Sequence, residues 1–364
     1  MQRSYFAALH TSGSAIAATG WSAQFVLLWA KSNDKSGDEP EALVAAAPLY
    51  LKPHSWGEYV FDHAWANAYA QHGLDYYPKL VCAVPFTPVR GSRLLAIDAA
   101  ARAALVEALS DQTTKHQASS VHILFGSAAD YDATQSAHWA HRQTVQFHWT
   151  NSPDAPHADY ESFLKTLTQS RAKNARAEMR KVRDAGITWR AVPAADASTD
   201  EIDTLTRCYT QTYLEHGNKP YLSPVFFRQQ FEHAPANWVL FMAHHAQHGD
   251  IACSLIGLDP VNKIAYGRYW GALARVDSLH FDACYHQPLQ WCIANGYQRF
   301  EGGAQGEHKM ARGLLPVVTR SAHYIAHPEF AQAILRFTER EQNGIADYVA
   351  DLRAHSPLRA APSV

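Results

Sequence analysis

Short apolar runs and helical periodicities alternate along the chain. A short helix is predicted over residues 4–10, and the apolar run QFVLLWA predicts the first strand. A second strand is predicted at Ala42–Lys52. The connection between the two strands is polar and contains Gly and Pro, so they are predicted to form an antiparallel pair. A further short helix is predicted at Trp65–Gln71, with Gly73 ending it.

The next elements are a strand at Lys79–Val89 and a helix at Asp98–His116 with Asp98 as its N-cap. Between them lies a basic loop with one glycine. A helix N-terminus offers free amides and a positive dipole end, so this loop is a candidate anion cradle. The candidate donor-binding residues there are Arg90, Gly91 and Arg93. A plain strand-to-helix connection is the alternative.

The segment TNSPDAPHADY, rich in Pro, Asp and Ser, is the best domain boundary. We therefore predict an N-terminal domain at 1–150, a linker at 151–160 and a C-terminal domain at 161–364. A helix predicted from Tyr160 to Gly186 carries a local basic patch. This patch is formed by Arg171, Lys173, Arg176, Arg180, Lys181 and Arg183. It suits a phosphate-bearing partner such as a tRNA acceptor end or a nucleotide. A solvated helix face is the alternative.

The second half predicts three apolar strands at 237–245, 251–259 and 263–271, then a helix starting near Asp277 or Ser278 and kinked at Pro288. The strand YQRFEGG, a short helix and the strand LLPVVTRSAHYI follow. This order of elements matches the first half and is that of the GNAT acyltransferase fold. In that fold the fourth strand and the next helix N-terminus hold an acyl donor. We therefore add Ser278 and His280 to the candidate donor-binding residues.

The predicted fold class is α/β (α+β): two tandem GNAT-like domains with mixed, mostly antiparallel sheets flanked by helices, and a C-terminal helix.

Composition excludes several classes of function. The chain has 364 residues, 32 Lys and Arg against 34 Asp and Glu, and a formal charge of −2. No overall basic field would therefore recruit DNA or an anionic membrane. The five cysteines are odd in number and scattered, which favours buried thiols in a reducing compartment and hence the cytoplasm. The sequence shows neither a signal peptide nor an apolar run long enough to span a membrane.

Several segments resemble the FemAB-like predicted N-acyltransferases, a peptidoglycan biosynthesis or recognition family within the GNAT superfamily. They are PLYLKPHSWGEYVFDHAWANAY, YYPKLVCAVPFTPVRGSRLL, YGRYWGAL, LHFDACYHQPLQWCI and FEGGAQGEHKMARGLLPVVTRSAHYI. The resemblance extends from Phe6 to Pro357. It implies two tandem GNAT-like domains and kinship with Fem-type enzymes, which move an amino acid from aminoacyl-tRNA to an amine. The long antiparallel helical pair typical of those enzymes is not found in the second domain, so their substrates are not carried over.

The segment Glu301–Gly313, EGGAQGEHKMARG, concentrates acids, a histidine, cations and glycines. Acyl transfer to an amine needs a base for the nucleophile and an acid for the leaving group. We predict Glu307 as the base or amine anchor, His308 as a proton relay and Tyr285 as the acid. The alternatives are a plain surface loop and a tyrosine ring that belongs to the core.

Further residues are candidates for binding substrate. Arg268, Lys309 and Arg312 suit a phosphate or carboxylate; a buried salt-bridge network with Glu301 is the alternative. Gln305 and Glu301 complete this group. A second group is predicted to form the opposite wall of a cleft between the domains: Lys52, His54, Glu58, Tyr59, Tyr76, Tyr77 and Lys79.

No metal site is predicted. His280, Cys284 and His286 form an H-x3-C-x-H pattern, but on a helix His286 turns away from the other two.

The predicted function is an N-acyltransferase or aminoacyltransferase that forms an amide. The donor would be acyl-CoA or aminoacyl-tRNA, used as a co-substrate with no tightly bound cofactor. The acceptor would be a small-molecule or peptide amine. The alternative is a non-catalytic module that recognises a peptide or cell-wall fragment.

Overall fold

A computed structural model describes residues 2–30, 42–135, 138–304 and 306–359. The chain forms two compact units. Unit 1 comprises Met1–Thr144 with Val318–Tyr348, and unit 2 comprises Val145–Val317 with Val349–Val364.

The described residues of unit 1 form short strands and α-helices. The helices are α1 (Arg3–Thr11), α2 (His63–Gln71), α3 (Ala99–His116), α4 (Ala128–Thr134) and most of α11 (Pro328–Ala354). The strands are β1 (Ser22–Ala23), β2 (Val26–Trp29), β3 (Leu43–Ala47), β4 (Leu49–Lys52), β5 (Lys79–Cys82), β6 (Leu95–Ala96), β7 (Ser120–Leu124), the start of β8 (Ala140–Thr150) and most of β14 (Leu315–Ile325). One sheet has the order β1-β4-β5-β7-β14, and a second has the order β2-β3-β6.

The segment that contains β14 corrects the predicted domain boundary. Residues 318–348 were predicted to lie in the second domain, but they belong to unit 1. The reason is strand pairing: residues Ser321–Ile325 of β14 form an antiparallel ladder with β7. Sequence composition cannot reveal such a return of the chain, because it leaves no proline- or glycine-rich break.

Local predictions for unit 1 hold with two corrections. The strand predicted at Lys79–Val89 is shorter, because β5 ends at Cys82, ahead of Pro85 and Pro88. The predicted antiparallel pair is confirmed as β2 and β3, and the Asp98 side chain accepts a hydrogen bond from Ala101 N at 2.7 Å, as an N-cap should. The predicted strand Ala42–Lys52 is two strands, which join different sheets. Pro48 separates them, since it has no N–H for a ladder. The predicted turn at 31–41 lies outside the described residues.

Unit 2 contains the remaining elements. Its helices are α5 (Tyr160–Leu164), α6 (Gln169–Asp184), α7 (Thr199–Glu215), α8 (Pro224–His233), α9 (Leu279–Phe281) and α10 (Gln287–Ala294). Its strands are the rest of β8, then β9 (Ile187–Pro193), β10 (Trp238–His245), β11 (Gly249–Asp259), β12 (Ile264–Ala272) and β13 (Arg299–Ala304), in the order β8-β13-β12-β11-β10-β9.

Two predicted helices of unit 2 are interrupted. The helix expected over Tyr160–Gly186 is the pair α5 and α6. The helix predicted to kink at Pro288 instead contains a π-helical turn at Asp282–His286, and Pro288 lies in the first turn of α10 directly after it. A π-turn leaves extra space in the hydrogen-bond ladder, and such turns are frequent at functional sites.

Strands β12 and β13 are the parallel pair of unit 2. Their ladder covers three residues on each strand, Ile264–Tyr266 and Arg299–Glu301. Beyond this ladder, β12 continues beside β11 to Ala272, while β13 passes through Gly303 at a positive φ of 78°. The two strands therefore diverge next to the segment in which the candidate catalytic residues lie.

In the described part of the chain, no helix is both long enough and apolar enough to cross a membrane.

Candidate active site

Two of the predicted catalytic side chains meet in unit 2. Tyr285 lies in the π-helical turn, and His308 lies in a 3-10 helix at Glu307–Arg312. Tyr285 Oη and His308 Nε2 are 3.0 Å apart, so one hydrogen bond joins them, with the donor set by the tautomer of the ring. Gly306 precedes this helix at φ 100°, and a Cβ there would lie 2.6 Å from the His308 ring. This glycine is therefore required both for the turn and for the position of the imidazole.

The surroundings keep both histidines of the site neutral near pH 7. Burial, and then the charges of Lys309 and Arg312, lower the pKa of His308. Burial, followed by the neighbouring charges of His308, Arg312 and Lys309, lowers the pKa of His280 to about 4. Burial also raises the pKa of Tyr285, so its hydroxyl stays protonated. A neutral imidazole bonded to a neutral phenol can pass a proton in either direction.

Aromatic rings pack around this pair. The His280 ring lies 5.3 Å from the Trp270 ring, 5.9 Å from Tyr285 and 6.1 Å from His308, centroid to centroid. Phe281 lies 5.9 Å from the His308 ring. Because Trp270 belongs to β12, the pair lies close to the point where β12 and β13 diverge.

Lys309 is buried and bound to backbone. Its Nζ donates to the carbonyl oxygens of Gly303 and Ala304 at 3.1 and 3.2 Å. Burial lowers its pKa to about 8. We predicted Lys309 as an anion ligand from the sequence. In this structure its ammonium group fixes the end of β13.

A buried chain of four side chains runs behind the pair. Tyr160 Oη lies 2.7 Å from His286 Nδ1, and His286 Nε2 lies 2.8 Å from a carboxylate oxygen of Glu178. The other partner of Glu178 is Arg312, whose Nε donates at 3.2 Å and whose Nη2 donates to the second oxygen. Although burial opposes it, these hydrogen bonds from His286 and Arg312 lower the pKa of Glu178. The carboxylate is therefore ionised and matches the guanidinium in charge.

Arg312 connects this chain to the catalytic pair. Its Nη1 donates to the backbone oxygen of His308 at 2.8 Å, and its guanidinium lies 3.6 Å from the centre of the Phe281 ring. Glu178 therefore fixes Arg312, and Arg312 fixes the backbone that carries His308.

In the predicted alternative, Lys309 and Arg312 would pair with Glu301, but the structure gives these two cations other partners. Glu301 Oε1 lies 3.1 Å from Arg299 Nε, and Oε2 lies 3.9 Å from His148 Nε2. These partners lie on β13 itself and on β8, which pairs with β13. Lys309 bonds to the backbone of β13, and Arg312 pairs with Glu178 on α6.

The other predicted residues of unit 2 are placed as follows. Glu307 is exposed at the start of the 3-10 helix, and Gln305 lies outside the described residues. Arg268 donates from Nη2 to Tyr269 Oη at 3.0 Å. Asp277 or Ser278 was the N-cap predicted for the helix that begins here. Ser278 precedes α9 with φ 66°, but its hydroxyl bonds Asp277 at 3.4 Å and does not cap the helix, which corrects that prediction for Ser278.

In unit 1 the predicted anion cradle already holds a carboxylate of the chain. The backbone N–H groups of Arg93 and Leu94 donate to Asp130 at 2.6 and 3.2 Å. The Arg93 guanidinium is buried and donates to the carbonyl oxygens of Gly91 and Val89. The prediction that this loop binds the donor is therefore wrong for Arg93. Arg90 in the same loop is exposed.

Four residues of the second predicted group are brought together in unit 1, fully buried. Lys79 Nζ donates to Glu58 at 2.7 Å and to Asp62, and Tyr76 Oη donates to Asp62 at 2.7 Å. Lys52 Nζ lies 3.8 Å from Glu58 and 3.5 Å from the centre of the Trp21 ring. Burial lowers the pKa of Lys52 to about 7 and raises the pKa of Glu58. These side chains contact one another, and none of them lies at an open surface.

The rest of that group lies nearer the surface. Tyr77 Oη lies 2.9 Å from Ser55 Oγ, His54 packs its ring 5.4 Å from that of Trp56, and Tyr59 adopts a positive φ of 60°.

Sequence reasoning missed Tyr160, Glu178 and His286 as parts of the site. One signal was present for Glu178, an acid within the basic run of α6. His286 appeared in the H-x3-C-x-H pattern, but the structure uses it to bind Glu178 and Tyr160. Among the residues that the structure describes, no group of three or more His, Cys, Asp or Glu is arranged to hold a metal ion.

Comparison with known families shows which family this chain belongs to. The family model FemAB-like, described as peptidoglycan biosynthesis/recognition, matches residues 1–360. The chain belongs to the FemAB-like family. No curated protein sequence matches it significantly.

This FemAB-like protein is also similar to solved structures, and the first of the three that follow has a TM-score above 0.5, which supports a shared fold. L-PGS from Bacillus licheniformis is 10% identical with a TM-score of 0.54, over 93% of this chain and 97% of that one. The C-terminal domain of a putative lysylphosphatidylglycerol synthetase from Agrobacterium fabrum is 12% identical with a TM-score of 0.48, over 72% and 82%. A tandem GNAT protein from the clavulanic acid biosynthesis pathway is 10% identical with a TM-score of 0.43, over 84% of each chain.

The predicted mixed α/β class is confirmed: helices lie beside mixed, mostly antiparallel strands, and the chain forms two compact units. That both units are GNAT-like domains stays a prediction. Family membership relates the chain to peptidoglycan biosynthesis or recognition, which supports the predicted class of function, transfer of acyl or aminoacyl groups.

Proposed function

We propose that this FemAB-like protein forms an amide bond between an activated acyl or aminoacyl donor and an amine, and that unit 2 carries out the reaction. One observation carries this proposal: the 3.0 Å hydrogen bond between Tyr285 and His308. It joins a phenol to a neutral imidazole beside the diverging strands β12 and β13. Acyl transfer to an amine needs such a pair, because a proton must leave the nucleophile and another must reach the leaving group.

The proton steps balance within the pair. The amine nitrogen attacks the acyl carbonyl, and its proton passes to Tyr285 Oη as the tyrosine proton moves to His308 Nε2. When the tetrahedral intermediate collapses, Tyr285 protonates the leaving oxygen or sulfur and regains a proton from His308. Both groups finish as they began, and the products are the amide and the free carrier alcohol or thiol. The lowered pKa of His308 keeps the ring ready to accept the first proton.

Glu307 is the proposed anchor of the acceptor. It is exposed and directly precedes His308 in the 3-10 helix. An amine arrives mostly as an ammonium ion, which a carboxylate attracts. The ammonium ion gives its extra proton to bulk water, and the neutral amine then attacks.

The donor is placed where β12 and β13 diverge. The ladder between these strands ends at Tyr266 and Glu301, and an extended arm can lie beside the continuing strand β12. Trp270 and His280 then line the path to the catalytic pair.

We favour aminoacyl-tRNA over acyl-CoA because of the outer face of α6. Lys173, Arg176, Arg180 and Arg183 are spaced three, four and three residues apart, so they form one exposed cationic stripe. The same helix supplies Glu178 to the site. A stripe of this length suits a row of phosphates, whereas a single CoA would contact only part of it.

Product analysis by mass spectrometry tests this function. The enzyme is incubated with charged tRNAs or with acyl-CoAs, each with a panel of small-molecule and peptide amines. The proposal predicts an amide product with at least one charged tRNA. Tight binding of a peptide or cell-wall fragment with no product from either donor class would refute the enzymatic role and establish the recognition module.

A further inference from the structure

The three-stranded sheet of unit 1 has an apolar outer face. Pairing across β2, β3 and β6 places side chains in two rows on this face. One row is Leu27, Ala46 and Leu95, and the other is Trp29, Leu43 and Ile97. We call these six residues the outer sheet face.

The opposite face of the same sheet is also apolar. Val26, Leu28, Ala45, Ala47 and Ala96 pack in a core with Leu105, Val106 and Leu109 of α3. In an antiparallel sheet with one face in water, outward positions are normally polar. The described strands of this sheet contain no polar residue at all. Such a sequence is typical of a sheet covered on both sides.

Yet within the described part of the chain the outer sheet face is largely exposed. Trp29 is 51% exposed, Leu27 49% and Ile97 70%. The five large side chains together expose roughly 500 Å² of apolar surface, which equals the largest patch on a typical monomer. These five side chains alone supply more than half of the roughly 800 Å² that each partner buries in a stable interface.

We propose that a second copy of this chain covers the outer sheet face, so that two sheets pack face to face about a twofold axis. Ala46 is central in its row, so its small side chain leaves a depression between Leu27 and Leu95. Such a surface can complement itself, as an interface between two identical copies must.

A membrane fits this face less well. Surfaces that lie on membranes combine an apolar face with lysines and arginines around it. The described strands of this sheet carry no cation. The sequence that joins β2 to β3, KSNDKSGDEPE, has four acids against two lysines. The composition of this joining sequence therefore does not supply the excess of cations that is typical of membrane-binding surfaces.

Sedimentation of the full chain over a range of micromolar concentrations tests the proposal. The wild type should show a concentration-dependent dimer, and Leu27→Glu/Ile97→Glu should weaken dimerisation at least tenfold. The matched control is Val261→Glu, because Val261 is apolar and 89% exposed but lies outside the outer sheet face. It should dimerise like the wild type. In addition, Ala46→Cys should form a disulfide-linked dimer under mild oxidation, since two copies of residue 46 would meet near the axis.

Three results would overturn the proposal. One is a wild type that stays monomeric at the highest concentration. Another is a dimer that Leu27→Glu/Ile97→Glu leaves unchanged, because the interface would then lie elsewhere. The third is a monomer that sediments with phosphatidylcholine vesicles unless Leu27 and Ile97 are changed, which would assign the face to a lipid surface.

Discussion

Removing the charge of Glu178 should weaken both the fold of unit 2 and its catalysis. Glu178→Gln preserves the shape of the side chain but leaves the Arg312 guanidinium, whose side chain is 8% exposed, without its counterion. Breaking a buried ion pair from one side costs about 3–5 kcal/mol. The Glu178 side chain is 18% exposed and the amide still accepts one hydrogen bond, so we expect a loss of about 2–3 kcal/mol.

The chain offers a control of matched geometry. Arg176 and Glu161 pair through the same atoms, with Nε 3.2 Å from Oε2 and Nη2 bonded to Oε1. Their side chains, however, are 44% and 50% exposed. Exposed pairs contribute about 0–1 kcal/mol, so Glu161→Gln should change the free energy of unfolding by less than about 0.5 kcal/mol. Denaturant unfolding of both variants measures how much more a buried ion pair contributes to the free energy of unfolding than an exposed one.

Enzyme kinetics then distinguish the role of Glu178 in positioning His308 from its contribution to stability. Because Arg312 binds the His308 backbone, Glu178→Gln should lower kcat about tenfold or more while KM changes less. The double variant Glu178→Gln/Arg312→Met leaves no buried charge unpaired, so it should recover most of the stability but not kcat. The reasoning would be refuted if Glu178→Gln and Glu161→Gln lost equal stability, or if the double variant regained full activity.

Three further predictions concern pH, salt and packing. Activity should fall as His308 becomes protonated, and the lowered pKa of His308 puts this loss of activity below pH 6.5. A loss of activity on the acid side that begins above pH 6.5, or one that persists in His308→Gln, would contradict this. If tRNA is the donor, its affinity should fall steeply as the salt concentration rises, and Lys173→Gln/Arg180→Gln should reduce that salt dependence. The exposed control Lys115→Gln should leave it unchanged, and an equal salt dependence in both variants would exclude the α6 stripe as the tRNA-binding surface. Gly271→Ala would place a Cβ 1.9 Å from a backbone oxygen of α7, so it should destabilise unit 2 by about 3 kcal/mol. Denaturant unfolding measures this, and an unchanged midpoint of unfolding would show that α7 can move away from the added methyl group.

Most of the fold could be predicted because its elements have local signals. Asp98 before an apolar periodicity marks the start of α3, and the apolar runs of β10, β11 and β12 are separated by hairpin-sized turns. The split of Ala42–Lys52 also had a signal, Pro48, which sequence reasoning did not use. The return of β14 to unit 1 had none, since pairing with β7 is decided by contacts far apart in the chain.

The site was predictable in part for the same reason. Tyr285 and His308 are 23 residues apart. His308 belongs to the segment Glu301–Gly313, whose composition suggested chemistry, and Tyr285 lies in the helical segment that precedes β13. Glu178 lies 134 residues from Arg312, and no spacing rule connects α6 to the 3-10 helix. Buried charges pair with whatever the fold brings close, so the partner of Arg312 could be identified only from the structure.

The central claim is that the Tyr285–His308 pair moves the protons of acyl transfer. Single-turnover transfer from the active donor to its amine, compared between Tyr285→Phe and Tyr50→Phe, tests it most directly. Tyr50 is the matched control, because its hydroxyl also lies 3.0 Å from a histidine Nε2, that of His10 in unit 1. We predict that Tyr285→Phe lowers the rate by about 10²–10⁴ and that Tyr50→Phe leaves it nearly unchanged. Equal rates for the two variants would contradict the account.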